Sequence, residues 1–196
     1  KVVDAKVERP LKERALRWVL KEGLTSALFS PAMKLGQSVR TFLPEALKAK
    51  VPAPQQAGAW PNAKHDRKVL MLAGCVQPAM MPNINTATAR VLSACGIEVV
   101  VPPAAGCCGG VKFHLNDQVG GLDHMRNNID AWWPWIEQGV EAIVMNASGC
   151  GVTVKEYGHL LQHDAQYAAK AKRVSELTRD LSELLPMCLP ELQKQL

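Results

Sequence analysis

Three short apolar runs punctuate the chain from residue 68 onward, at residues 68–73 (KVLMLA), Glu98–Val101 and Glu141–Met145. Runs of this length and uniformity read as buried strands. Between and after them the apolar residues recur at helical spacing over Asn83–Ala94, Asp117–Gln138, Gly151–Gln162 and Ala165–Leu185. Strands alternating with helices predict an α/β body: an open parallel sheet with right-handed crossovers and flanking helices, three-layer-like in section. The preceding residues have a different character. Pro10 stands at a helix start, with Leu11, Ala15, Leu16, Val19 and Leu20 at helical spacing up to Gly23. Helical stretches follow at 32–43 and 44–49, and VPAPQQAGAWPNA then reads as a linker ending near residue 65. The expected organisation is a basic helical arm and Pro-rich linker over 1–67, a cysteine-rich domain over 68–185 and a C-terminal tail over 186–196.

Cysteines stand where each predicted strand ends. Cys75 follows the first run by two residues, Cys107 and Cys108 lie a few residues past the second, and Cys150 lies five past the third. In an open parallel sheet the carboxyl ends of the strands share one edge, where ligand crevices form. Thiols separated by 31 and 41 intervening residues can therefore converge on one site. Cys95, at a helix end before Gly96, and Cys188, in PMCLP, lie at no strand end and read as small apolar residues. A disulfide framework is not expected, because the chain is long enough for an apolar core and its opening, KVVDAKVERPLKER, lacks the apolar stretch of a secretory signal. Nor should Cys107 and Cys108 bond each other, since neighbouring Cα atoms sit about 3.8 Å apart and a relaxed disulfide needs about 4.4–6.8 Å.

Four cysteines suit either an iron–sulfur cluster or a structural zinc ion. Zinc cysteines usually come in close pairs about two to four residues apart, and this sequence has no CxxC. Gly74, Gly106, Gly109, Gly110, Gly149 and Gly151 flank the cysteines, letting backbone approach closely and aim N–H groups at sulfur. That favours a cluster. The competing reading is of tight strand-to-helix turns around unliganded thiols.

Charge excludes some functions and leaves others open. Residues 1–68 carry 14 Lys/Arg against 6 Asp/Glu, and residues 69–196 carry 9 against 12. The basic arm lacks aromatic interleaving and any groove-reading motif, so nucleic acid is not an expected partner, and its helices read as a solvated face that also packs on another chain or domain. No apolar run approaches the roughly 20 residues that span a bilayer. His114 reads as a loop histidine, His124, His159 and His163 as helix histidines, and Trp132, Trp133 and Trp135 as core packing or an interface. Lys112 and Lys155 are placed to offset cluster charge or to serve as ordinary surface lysines.

The segments LAGCVQPAM, AAGCCGG and NASGCG, at these spacings, resemble the cysteine-rich CCG domain of heterodisulfide reductase-type iron–sulfur proteins. The wider run PNINTATARVLSACGIEVV, HLNDQ, NIDAWWPWIE and ASGCGVTVKEYGHLL, with the RPLKERALRWVL helix, resembles the iron–sulfur subunits of bacterial glycolate oxidases. The resemblance implies a larger subunit in which a ferredoxin-like domain precedes two CCG domains, with this chain as the linker and first CCG domain. It also implies that Cys75, Cys107, Cys108 and Cys150 ligate a 4Fe-4S cluster. The expected role is a non-catalytic relay: FAD-binding partner subunits oxidise glycolate or a similar 2-hydroxy acid, and electrons pass toward a quinone or other acceptor. Such a complex would be cytoplasmic, with peripheral association at the inner face of the membrane. The fuller family pattern ends in CxxC, but Ala147 stands three residues before Cys150. Five-cysteine versions are associated with disulfide cleavage, so a thiol–disulfide reductase is the weaker implication. A cluster-free scaffold that docks partner subunits is the other alternative.

Overall fold

The computed structural model describes residue 6 and residues 8–193. The arm holds helices α1 (Leu11–Thr25) and α2 (Phe29–Ser38), a 3-10 turn at Arg40–Phe42, and the short α3 (Glu45–Lys48). Residues 52–65, rich in proline, form neither helix nor strand. The body then runs β1 (Arg67–Met71), α4 (Gln77–Met80), α5 (Pro82–Ala94), β2 (Ile97–Val100), α6 (Gly110–His114), α7 (Gln118–Glu137), β3 (Ile143–Met145), α8 (Ser148–Lys155), α9 (Tyr157–Leu160), α10 (Ala168–Leu177), β4 (Thr178–Asp180) and α11 (Leu181–Gln193).

The sheet order is β2-β1-β3-β4, and all three pairings are parallel. Leu70 opposes Val100 on one side and Ile143 on the other, so β1 lies at the centre. Successive side chains of a strand point to opposite faces, and β1 divides accordingly. Leu70 and Leu72 join Met125, Ile129, Trp132, Ile143, Met145 and Tyr157 on one face. Val69 and Met71 join Leu92, Ile97, Val144, Leu184 and Cys188 on the other. Helices therefore cover both faces of the parallel sheet, as the alternation of strands and helices predicts.

The expected helix over Ala165–Leu185 is instead two helices with a strand between them. Thr178–Asp180 adds to the sheet edge, pairing Ile143 with Thr178 and Met145 with Asp180. The reason lies in local hydrogen bonding. Asp180 Oδ1 accepts from the Ser182 backbone N–H at 2.9 Å, while Glu183 Oε2 accepts from the Asp180 N–H at 2.7 Å. This reciprocal capping box starts a new helix at Leu181. That helix runs through the segment expected to be a tail. Pro186 and Pro190 lie inside it, each lacking the N–H for a helical bond, and burial of Leu184 and Cys188 four residues apart holds it on the core. The expected Gly151–Gln162 helix starts earlier, at Ser148, and breaks at Glu156.

Helix α1 sits on the body through its charged side. Lys21 Nζ lies 3.4 Å from Asp117 Oδ2, and Lys112 Nζ lies 3.2 Å from Glu22 Oε2. Its apolar residues point outward: Leu11 is 79% exposed and Trp18 62%. In α2, Gln37 Nε2 donates to Ala79 O at 3.3 Å, tying the arm to the segment that follows Cys75.

Candidate functional site

Each of the three loops at the carboxyl edge of the sheet brings thiol to one place. Cys75 lies just beyond β1, after Gly74 in the left-handed region (φ +82°). Cys107 and Cys108 precede Gly109, which is also left-handed (φ +87°), and a Cβ there would meet Gly121 O at 2.5 Å. Both conformation and space require glycine at that turn. Cys150 stands in the first turn of α8. Cys107 and Cys108 are buried, whereas Cys75 and Cys150 are half-buried.

The sulfurs are near enough to shift one another's proton affinity in sequence, Cys75 with Cys107, Cys107 with Cys108, and Cys108 with Cys150. Their protons are unequally held. Cys108 accepts from Cys107 and Cys150 and from the Gly110 N–H, and these bonds bring its thiol down to about 3 despite burial. Cys75 is lowered by its bond from Cys107, helped by its own N–H and that of Val76. Cys107 is pushed far up, first by the bond to Cys108 and then by that to Cys75, and Cys150 is pushed up by its bond to Cys108 and by burial. Along the set the more acidic sulfurs, Cys75 and Cys108, thus alternate with Cys107 and Cys150, which hold their protons more firmly. Metal binding to cysteine releases protons, so a metal entering the set would have to displace those.

Among the described residues, no group of three or more His, Cys, Asp or Glu side chains is already gathered to hold a metal ion. Backbone N–H groups from Val76, Gly109 and Gly110 already point at sulfur, the kind of contact that tunes cluster potentials. A cavity of ≈ 420 Å³ opens beside the sulfurs, with Cys75 and Cys150 in its wall among Met80, Met81, Ile84 and Met145. The donor set and the adjoining space therefore fit an iron–sulfur cluster.

Two polar networks that sequence reading missed hold these loops. Gln77 Nε2 donates to Asn146 Oδ1 at 2.9 Å and to Asn85 Oδ1 at 2.6 Å, and Asn85 Nδ2 donates to Ala73 O at 3.1 Å. This network ties the Cys75 loop to the start of the Cys150 loop. On the opposite side, buried Asn128 accepts from the Gly106 N–H at 2.8 Å and donates to Cys107 O at 2.8 Å. The Tyr157 hydroxyl donates to Cys108 O at 2.7 Å. The signal available in sequence was an asparagine on the apolar side of each of two helices, α5 and α7.

The remaining candidates lie elsewhere. Cys95 and Cys188 are buried together in the other core layer, where burial first and Cys188 second raise the Cys95 thiol to about 12. Lys112 pairs with Glu22 and Lys155 with Glu183. His114, His159 and His163 are exposed. Trp132 is fully buried and stacked on Tyr157, whereas Trp133 donates to Glu137 and lies under Lys170. Among the described residues no helix is long and apolar enough to cross a membrane.

Residues 69–155 match the family model of the cysteine-rich domain, CCG. The chain is 54% identical over 186 residues to the glycolate oxidase iron–sulfur subunit of Escherichia coli K12, a match covering 94% of this chain and 46% of that protein. It is 31% identical over 119 residues to a Bacillus subtilis protein named "Probable glycolate oxidase iron-sulfur subunit", covering 61% of this chain and 26% of the relative. Lactate utilization protein A of Bacillus subtilis is 27% identical over 118 residues, covering 60% of this chain and 48% of that protein. The chain thus spans less than half the length of these relatives. No solved structure matches. The four thiols all fall within the matched segment, which is similar to the CCG cysteine-rich domain, and nearly the whole chain is similar to the iron–sulfur subunit of the Escherichia coli glycolate oxidase.

Proposed function

We propose that this chain is the electron-relay part of an iron–sulfur subunit, in which Cys75, Cys107, Cys108 and Cys150 hold one 4Fe-4S cluster. The observation that carries the reading is the gathering of these four thiols at the carboxyl edge of the sheet, near enough to shift one another's proton affinity. When bound, the cluster supplies one-electron storage. The protein supplies the thiolates, the N–H donors from Val76, Gly109 and Gly110, and an apolar wall that limits water at the half-buried Cys75 and Cys150.

The complex served by this relay oxidises glycolate or a similar 2-hydroxy acid on FAD in partner subunits and passes electrons to a quinone or other acceptor. It works in the cytoplasm, at the inner face of the membrane. The chemistry at carbon belongs to the flavin subunit. The outward apolar side of α1, with Leu11, Leu16, Trp18 and Val19 exposed, supports docking of the arm on such a subunit. Ala147, in the place of a further cysteine, weighs against a disulfide-cleaving cluster.

Anaerobic reconstitution tests the assignment. The expected product carries about four irons and four sulfides per chain with broad visible absorption. Replacing Cys107 or Cys108 by Ala should abolish that uptake while the partner subunits still assemble. A colourless, iron-free product from the unsubstituted protein refutes the relay and leaves a docking scaffold.

A further inference from the structure

The tandem cysteines differ from the other two thiols in how their backbone is held. Two residues without solvent exposure, Asn128 and Tyr157, take up both of their carbonyl oxygens. Asn128 Nδ2 also donates to the Tyr157 oxygen at 3.2 Å, so that each side chain orients the other. The ring of Tyr157 is fixed in turn by stacking on Trp132, with centroids 6.4 Å apart.

Peptide planarity gives these bonds a second consequence. Cys108 C=O and Gly109 N–H belong to one rigid unit. The Tyr157 hydroxyl holds the oxygen end of that unit, and the N–H end donates to the Cys107 sulfur. A bond to the oxygen both aims the N–H and polarises it, because hydrogen bonds in a chain strengthen one another. Asn128 holds the oxygen of the preceding peptide, Cys107 C=O, and also takes the Gly106 N–H two peptide units earlier, bracing the loop on both sides of Cys107.

We propose that Asn128 and Tyr157 are positioning residues for the tandem cysteines, aiming the Gly109 N–H at the Cys107 sulfur and thereby setting how readily a cluster on these thiols takes up an electron. This inference rests on the cluster reading above. Tyr157 acts through the peptide and touches no metal. Removing its hydroxyl weakens an N–H donor that stabilises negative charge on sulfur, so the reduced, more negative cluster loses more than the oxidised one.

The test uses Tyr157→Phe, which keeps the ring, and Asn128→Leu, similar in size, in the whole anaerobically prepared protein. Each variant is expected to retain iron and to shift the midpoint potential to more negative values. A severalfold to tenfold change in the reduction equilibrium is expected, and tenfold corresponds to about 59 mV for one electron. In the metal-free protein, alkylation of Cys107 should accelerate severalfold relative to Cys95 in the other core layer. Iron content, potential and alkylation rate all unchanged would overturn the proposal. If the unsubstituted protein takes up no iron, the cluster reading fails separately, and the alkylation ratio still decides whether the pair positions the loop. Loss of folded structure in both variants would assign the two residues to core packing and also overturn it.

Discussion

At the scale of single residues, the site depends on backbone that only certain residues allow. Gly109 has φ +87°, and an added Cβ would sit 2.5 Å from Gly121 O and 3.2 Å from Met125 Cγ. An L-residue in that conformation costs roughly 1–2 kcal/mol before any clash. Gly109→Ala should therefore destabilise the fold by about 2 kcal/mol or more, seen as a lower urea midpoint at unchanged slope. Gly106→Ala is the matched control, since its Cβ would meet nothing within 4 Å and its φ is ordinary; it should cost less than about 0.5 kcal/mol. The difference between two glycines of one loop separates conformational need from flexibility. The four thiols were legible as a set because each follows an apolar strand, and parallel strands share a carboxyl edge. Asn128 and Asn85 were not, because a polar residue on a helix is ordinarily solvated. Only the burial of Asn128 at 0% exposure and Asn85 at 7% reveals that they serve the loops instead.

Elements differ in how plainly sequence declares them. Strands β1 and β3 are apolar where they cross the core, so length and composition alone mark them. Strand β4 is three residues, Thr-Arg-Asp, on the edge of the sheet. It has no apolar run, and flanking helical patterns merge across it. What marks the break is the Asp180-x-x-Glu183 capping box, a signal carried by hydrogen-bonding groups instead of hydrophobic period. Its removal by Asp180→Ala should cost about 1 kcal/mol and loosen α11, exposing Cys188 to alkylation faster than Cys107. Acid should act in the same direction. Hydrogen bonds from the Ser182 hydroxyl and N–H hold the Asp180 carboxyl below its ordinary range. A depressed carboxylate contributes stability that is complete above its unfolded pKa and is lost as pH falls through the folded value. Because only thiolate reacts, the rate is read relative to a free thiol at each pH; that Cys188 ratio should be flat from neutrality down to the ordinary aspartate range, about 4, and rise below it, and the Asp180→Ala variant should lack that rise.

On the scale of the whole molecule, helix α1 and the body are joined by charge where most of the body is joined by apolar burial. Helix α1 buries no residue, and its link runs through Lys21, Glu22, Lys112 and Asp117. Partly exposed pairs of this kind are weak individually and are screened by salt, with a Debye length near 8 Å at physiological ionic strength and about 3 Å at 1 M. The body has two packed apolar layers around a four-stranded sheet, and apolar burial is not screened by salt. Raising the salt concentration to about 1 M should therefore accelerate tryptic cleavage within α1, at Arg17 and Lys21, while residues 67–180 stay protected. Lys112→Glu should reproduce that sensitivity at low salt by placing like charges beside Glu22 and Asp117. The pH response follows the same groups. The Lys112 hydrogen bond lowers Glu22. Burial raises Asp117, but the Gly120 N–H together with Lys21 and Lys112 outweighs it, leaving the carboxyl below its ordinary value. Both contribute above the ordinary carboxylate range and lose that contribution as pH falls below about 4, so acid should release the arm as salt does. Equal cleavage of arm and body under all three conditions would mean that these ion pairs do not hold the arm.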